Sequence, residues 1–145
     1  MTLRSRLAAP GLYLLDTNIC IFAMNQRPEG IFGRLERTIE RGHLVGMSSV
    51  TLHELWFGVH RSARVDFNAA RLEAFCSTLD VHLFDEAAAE YAGDCRATLA
   101  RAGTPIGPYD VLIAGHALAL NAVLVTNNTG EFGRVEGLSV EDWSQ

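Results

Sequence analysis

Short apolar runs alternate with stretches of helical periodicity along this chain, and that alternation restricts it to an α/β fold with a mainly parallel sheet. Tyr13 to Leu15 forms the first apolar run and stops at Asp16. Leu44–Met47, Val81–Phe84, Ala122–Thr126 and Leu138–Val140 read as further strands, Ala122–Thr126 being the strongest. Between them, Gly30 to Arg41 places Ile31, Leu35 and Ile39 on one helical face, and Gly42 ends the helix. Ser48, Ser49 and Thr51 start a helix that continues to about Val59. Val65, Leu72, Phe75 and Leu79 mark another helix. Asp85 caps a long one lined by Ala88, Tyr91, Cys95 and Leu99 and closed by Gly103. Pro105, Gly107 and Pro108 form a rigid loop before a helix from Tyr109 to Leu120.

The 145 residues suit one domain, expected over 12–145 behind a flexible leader at 1–11. No apolar run can span a bilayer, and Asp16 interrupts the only stretch resembling a signal sequence. The three cysteines, Cys20, Cys76 and Cys95, lack zinc or redox spacing and are expected to be reduced core thiols of a cytoplasmic protein. Net charge is −5, which argues against a nucleic-acid binder taken alone. Yet every one of the 12 basic residues is Arg, whose planar fork fits phosphate oxygens in pairs. Genome composition accounts for the missing Lys equally well.

Three acids share a placement. Asp16 follows the first strand directly, Glu54 lies early in the helix after the second, and Asp110 lies in the first turn of the penultimate helix. In a parallel sheet, strand ends and helix starts meet along one edge, so carboxylates distant in sequence can converge. Two carboxylates about 4 Å apart repel by about 4 kcal/mol at an effective dielectric near 20. A hard divalent cation such as Mg²⁺ removes that cost and, once bound, suits phosphodiester hydrolysis. Each acid also has a structural explanation. Asp16 can cap the next helix, Thr51 and Glu54 fit a T-x-x-E capping box, and Asp110 suits a helix N-terminus. The segment Thr126-Asn127-Asn128-Thr129-Gly130-Glu131 follows the strongest strand, and spacing alone favours a turn there. The five histidines have no metal-binding spacing, and Trp56 and Phe57 fit a packed helix better than a base-stacking surface.

Four segments occur in a familiar order: Leu15-Asp16-Thr17-Asn18; Glu54-Leu55 with Gly58; Ile106-Gly107-Pro108-Tyr109-Asp110 with Ile113-Ala114; and Leu124-Val125-Thr126-Asn127-Asn128 with Glu131-Phe132. Together they resemble the PIN-domain ribonucleases, and among them the VapC toxins of VapBC toxin–antitoxin systems. The resemblance runs from Tyr13 to Trp143. It implies a parallel sheet of four or five strands flanked by helices, and a Mg²⁺- or Mn²⁺-dependent endoribonuclease acting on tRNA or rRNA. Asp16 and Asp110 match the principal metal-binding aspartates of that family, and Glu54 its water-directing glutamate and third candidate ligand. Thr17, Asn18 and Thr126 match supporting polar residues. Where the family often carries a fourth acid this chain has Asn128, and Glu131 is the nearest replacement. A VapB-like antitoxin and a homodimer are further implications. Arg61 and Arg64, after the Glu54 helix, are candidates for holding RNA phosphates. The alternative is a catalytically degraded PIN scaffold that only binds a partner. An aspartyl phosphatase is disfavoured, because Asn18 stands where its second Asp is needed and the chain has no Lys.

Overall fold

The computed structural model describes residues 11–144, so residues 1–10 of the expected leader lie outside the described residues. Gly11 is tied to the fold: its N–H donates to His43 Nδ1 at 3.0 Å and its carbonyl accepts from the Leu44 N–H at 3.0 Å. Five strands and seven helices follow in the order β1 (Leu12–Leu15), α1 (Thr17–Asn25), α2 (Ile31–Glu40), β2 (Leu44–Ser48), α3 (Ser49–Arg61), α4 (Val65–Cys76), β3 (Asp80–His82), α5 (Glu86–Arg101), α6 (Pro108–Ala119), β4 (Val123–Val125), α7 (Thr129–Phe132) and β5 (Ser139–Glu141). The strands form one sheet in the order β3-β2-β1-β4-β5, every neighbouring pair parallel. The chain thus leaves β1 towards β2 on one side and later returns to pair β4 on the other. The carboxyl ends of β1 and β4 flank the point where strand order reverses, which is where open α/β sheets leave a crevice.

β1 is central and covered on both faces, which is why it reads as a continuous apolar run. Successive side chains point to opposite faces. Leu15 joins Val45, Met47 and Val125 in a core with Ile19, Leu35, Leu55 and Leu72 of α1 to α4. Leu14 joins Leu124 in a second core with Leu99, Ile113 and Ala114 of α5 and α6. α5 and α6 approach closely at Gly115, where an added Cβ would lie 2.3 Å from Ala92 Cα. Cys20 and Cys95 are buried, Cys76 is partly so, and all three are free thiols.

The α/β reading and the five strand positions hold, with differences at several boundaries. β3 ends at His82; Leu83 is 77% exposed, and Phe84 leaves the sheet with its N–H donating to Ser49 Oγ. Tyr91 faces solvent, because the buried row of α5 is Ala88, Ala92, Cys95 and Leu99. Ile39 is likewise exposed near the end of α2. Leu79 lies beyond the end of α4 yet packs against the core. α1 is too uniformly apolar for its limits to be read from periodicity, and Asn128 to Phe132 forms a capped helical turn.

Candidate active site

Asp16 stands at the carboxyl end of β1, only 5% exposed. It is indeed the N-cap of α1, its Oδ1 accepting from the Ile19 N–H at 2.9 Å. Capping uses one oxygen of the carboxylate and leaves the group among other acids. Its pKa is raised to about 6: burial is the largest cause, the Thr126 side chain and the Ile19 N–H oppose it by favouring the ionised form, and the charges of Asp110 and Glu54 add to it. Thr126, fully buried at the end of β4, accepts the Asn128 N–H on its hydroxyl at 3.0 Å.

Glu54 is not part of a capping box. Ser48 is the N-cap of α3, accepting from the Val50 N–H at 3.0 Å, which puts Thr51 inside the helix. The Thr17 hydroxyl donates to Glu54 Oε1 at 2.6 Å and lies 3.3 Å from the Thr51 hydroxyl. Thr17 therefore ties the start of α1 to α3 and fixes the Glu54 carboxylate. Thr51 is the member of this network that the sequence reading assigned elsewhere. Its spacing of three from Glu54, which puts both on one helical face, is the signal that could have found it.

Asp110 lies in the first turn of α6, behind Pro108 at the first helical position. Its pKa is also raised to about 6, by burial first, then by the charges of Glu131 and Glu54 and by a hydrogen bond with Glu131. Glu131 is held by the Gly107 N–H on Oε1 and by Asn128 Nδ2 on Oε2, the latter at 2.6 Å. Asn128 also caps α7. The amide at 128 thus positions an acid rather than replacing one, and the carboxylate that meets Asp110 belongs to Glu131. Gly107 makes room: a Cβ there would come within 3.0 Å of Asp110 Oδ2 and 3.5 Å of Glu131 Oε1.

Asp16, Glu54, Asp110 and Glu131 therefore share one electrostatic neighbourhood, linked pairwise through Asp110 and Glu54. Asn18 is exposed on α1, and Asn127 is exposed beyond β4. Arg61 and Arg64 are exposed beyond the cluster, their guanidinium groups over the Phe57 and Phe67 rings at 5.4 and 3.9 Å. His53 and Tyr109, each next to a cluster acid in sequence, meet with ring centroids 5.5 Å apart, both exposed.

No Arg or His figures among the groups acting on Asp16 or Asp110. The donors are carboxylate and hydroxyl oxygens, the set a hard divalent cation prefers. Among the described residues no three His, Cys, Asp or Glu side chains form a closed cage. Removing the charge repulsion at Asp110 isolates the part Glu131 plays. Glu131→Gln is expected to lower the Asp110 pKa part of the way towards the ordinary carboxylate range, the burial contribution remaining, and to lower cation-dependent hydrolysis at the site by about 10–100-fold, the usual cost of losing a group that positions a metal-holding carboxylate. Carboxyl titration by NMR and a cleavage assay read the two effects separately.

The sequence and fold are similar to those of known proteins. The PIN domain family model matches residues 13–138. The chain is 47% identical over 132 residues to the tRNA(fMet)-specific endonuclease VapC of Shigella flexneri, covering 91% of this chain and 98% of that protein. It is 40% identical over 134 residues to ribonuclease VapC2 of Rickettsia felis, covering 92% and 99%. The fold superposes on that in the DNA-bound VapBC crystal structure from Salmonella typhimurium with a TM-score of 0.85 at 44% identity, over 92% of this chain and 98% of that one. VapBC2 of Rickettsia felis, bound to a promoter DNA fragment, gives a TM-score of 0.86 at 39% identity, over 91% and 98%. The family match, the identities and the fold superpositions agree, and the chain belongs to the PIN-domain family, among the VapC ribonucleases of toxin–antitoxin systems.

Proposed function

We propose that this chain is a Mg²⁺-dependent endoribonuclease toxin that cuts tRNA, with initiator tRNA the foremost candidate. The observation that carries the reading is the convergence of Asp16, Glu54 and Asp110, two of them with pKa values raised to about 6. Substrate choice rests on relatives: the Shigella and Salmonella proteins, 47% and 46% identical, are named tRNA(fMet)-specific endonucleases. The alternative of a binding-only scaffold loses support, because its motive was the amide at 128 and Glu131 supplies the carboxylate.

Asp16 and Asp110 would hold the cation, which Mn²⁺ could replace. When bound, such an ion lowers the pKa of water and stabilises charge on a phosphoryl group. Glu54, clamped by Thr17, orients the attacking water and accepts its proton. Attack in line with the departing 3′ oxygen leaves 3′-hydroxyl and 5′-phosphate ends. Thr126 supports Asp16, Asn128 supports Glu131, and Asn18 stands exposed at the rim. Arg61 lies two turns after Glu54 on the same side of α3, and with Arg64 it is a proposed contact for RNA phosphates. A VapB-like antitoxin is the proposed partner, since matched structures are VapBC complexes. A homodimer in the cytoplasm, where tRNA is found, completes the proposal; no helix among the described residues is long and apolar enough to cross a membrane.

Purified protein incubated with total tRNA tests this. Cleavage with Mg²⁺ and none with EDTA, 5′-phosphate ends, and growth arrest on expression that the cognate antitoxin relieves are expected. Tight antitoxin binding without cleavage under any divalent cation would instead support the scaffold reading.

A further inference from the structure

Away from the acids, one cavity of about 320 Å³ gathers donors instead of acceptors. Arg34, Arg37 and Arg41 line it from α2 and its C-cap, with His43, Tyr13 and Glu141 around them. Spacings of three and four residues put the three guanidinium groups on one side of the helix. The cavity's carboxylate is already engaged. Glu141 Oε1 accepts from Arg34 Nη2 at 3.2 Å and from Trp143 Nε1 at 3.2 Å. Arg34 also lies over the Trp143 ring, 5.3 Å from its centroid. Arg37 and Arg41 have no carboxylate within ion-pair reach among the described residues. His43 Nδ1 accepts the Gly11 N–H at 3.0 Å, which leaves Nε2–H as a donor in the neutral ring. Positive charge is thus concentrated in one cavity of a chain whose net charge is −5.

The row has a direction. Arg34 sits beside Glu141, the last residue of β5, whose carbonyl accepts the Thr126 N–H at 2.9 Å. Thr126 in turn acts on Asp16. Arg41 lies at the far end of α2, just before β2 begins. The row therefore starts beside the layer of the acids and leads away from it for roughly 10 Å, at 1.5 Å per helical residue. A polyanion crossing an acidic centre needs positive charge outside that centre, and repeated charges along a strand suit guanidinium groups spaced along a helix.

We propose that this cavity binds backbone phosphates of the RNA at positions outside the scissile bond. The identity of the anion rests on the ribonuclease reading; the existence of a phosphate site does not. Two measurements keep them apart. Inorganic phosphate titrated against the full chain, followed by Trp emission and melting temperature, reads the site directly. Saturable change is expected, and it is lost in Arg37→Gln/Arg41→Gln. Binding of tRNA in EDTA, in an Asp16→Asn background, reads the assignment to RNA. Each phosphate contact to a single strand contributes about 0.7 to the slope of log K against log salt. The double variant is expected to lower that slope by about 1.4 and to weaken binding roughly tenfold near 100 mM salt. With Asp16 restored, KM for tRNA should rise while kcat at saturation is kept, and an RNA too short to reach the cavity should be cut equally by both. Both Arg side chains are exposed, so the double variant is expected to keep the fold, which matching circular dichroism melts would check. An unchanged salt slope and KM would overturn the RNA assignment, including the case in which an acidic peptide of a protein partner binds there. Absence of any phosphate effect would overturn the site. tRNA binding with the expected slope in a protein that cleaves nothing would remove the ribonuclease reading and leave this one standing.

Discussion

Asp16→Asn is expected to reduce RNA cleavage by at least 10³-fold while making the metal-free protein more stable. The two effects have one cause. In the folded chain the Asp16 carboxyl is 5% exposed and its pKa is raised to about 6 from 3.8. Above pH 6 the ionised form is held against burial and against Asp110 and Glu54. A shift of about two units corresponds to about 3 kcal/mol at ~1.4 kcal/mol per unit, an upper bound on the relief. Asn keeps the shape and keeps an oxygen for the Ile19 N–H, and it is among the best N-cap residues. What it removes is the charge. A metal-holding carboxylate that stabilises charge in a transition state contributes on the scale of the best-measured electrostatic groups, about 10²–10³-fold each, and more where cation binding fails with it. Thermal melts in EDTA at pH 7.5 and tRNA cleavage with Mg²⁺ check the two arms. A variant that is destabilised, or that still cleaves at more than a tenth of the parent rate, would show that Asp16 is chiefly a helix cap.

Most of this architecture was legible because local pattern and tertiary role agree. β1 is apolar throughout since both its faces are covered, and the polarity break at Asp16 marks the sheet edge where the crevice opens. The three principal acids follow from that placement. Illegible were features decided by tertiary contact. Tyr91 fits the helical period as well as Ala92 does, but only a small residue fits where Gly115 approaches. Leu83 is apolar yet lies past the last paired residue of β3, so nothing covers it. The capping box at Thr51 and Glu54 was a chance match, since Ser48 caps the helix and both residues turn to Thr17. Asn128 has two parts that its spacing does not separate. It is the helix-capping residue that turn chemistry favours, and its side chain also delivers Glu131 to the cluster. Sequence order could rank Glu131 as the nearest acid; only the loop geometry at Gly107 shows its carboxylate against Asp110.

The second large effect concerns how pH and divalent cations act together on stability. Asp16 and Asp110 both have folded-state pKa values raised to about 6. The folded chain therefore binds more protons than the unfolded chain between about pH 4 and 6. Their contribution is present in full below pH 4 and is lost as pH rises through 6. His116 acts in the opposite sense. Its pKa is lowered by burial and by His82, against Asp85, so its contribution is lost as pH falls through the range of a free imidazole. The ring is held by Ser48, whose hydroxyl lies 2.8 Å from Nδ1. Net melting curves of the parent protein mix these terms, whereas the difference between parent and Asp16→Asn isolates one carboxyl, because His116 is common to both. In EDTA that difference should be near zero at pH 4 and should favour the variant increasingly up to pH 7. Mg²⁺ should largely offset it. An ion that binds only the folded, ionised site stabilises by ~2.7 kcal/mol at 100 times its Kd. For a domain of this size that is a rise of roughly 5–10 °C in Tm. The rise should appear at pH 7.5, vanish at pH 5 where protons occupy the site, and be absent from Asp16→Asn at either pH. Equal Mg²⁺ shifts in parent and variant would place the cation elsewhere on the protein and detach it from these acids.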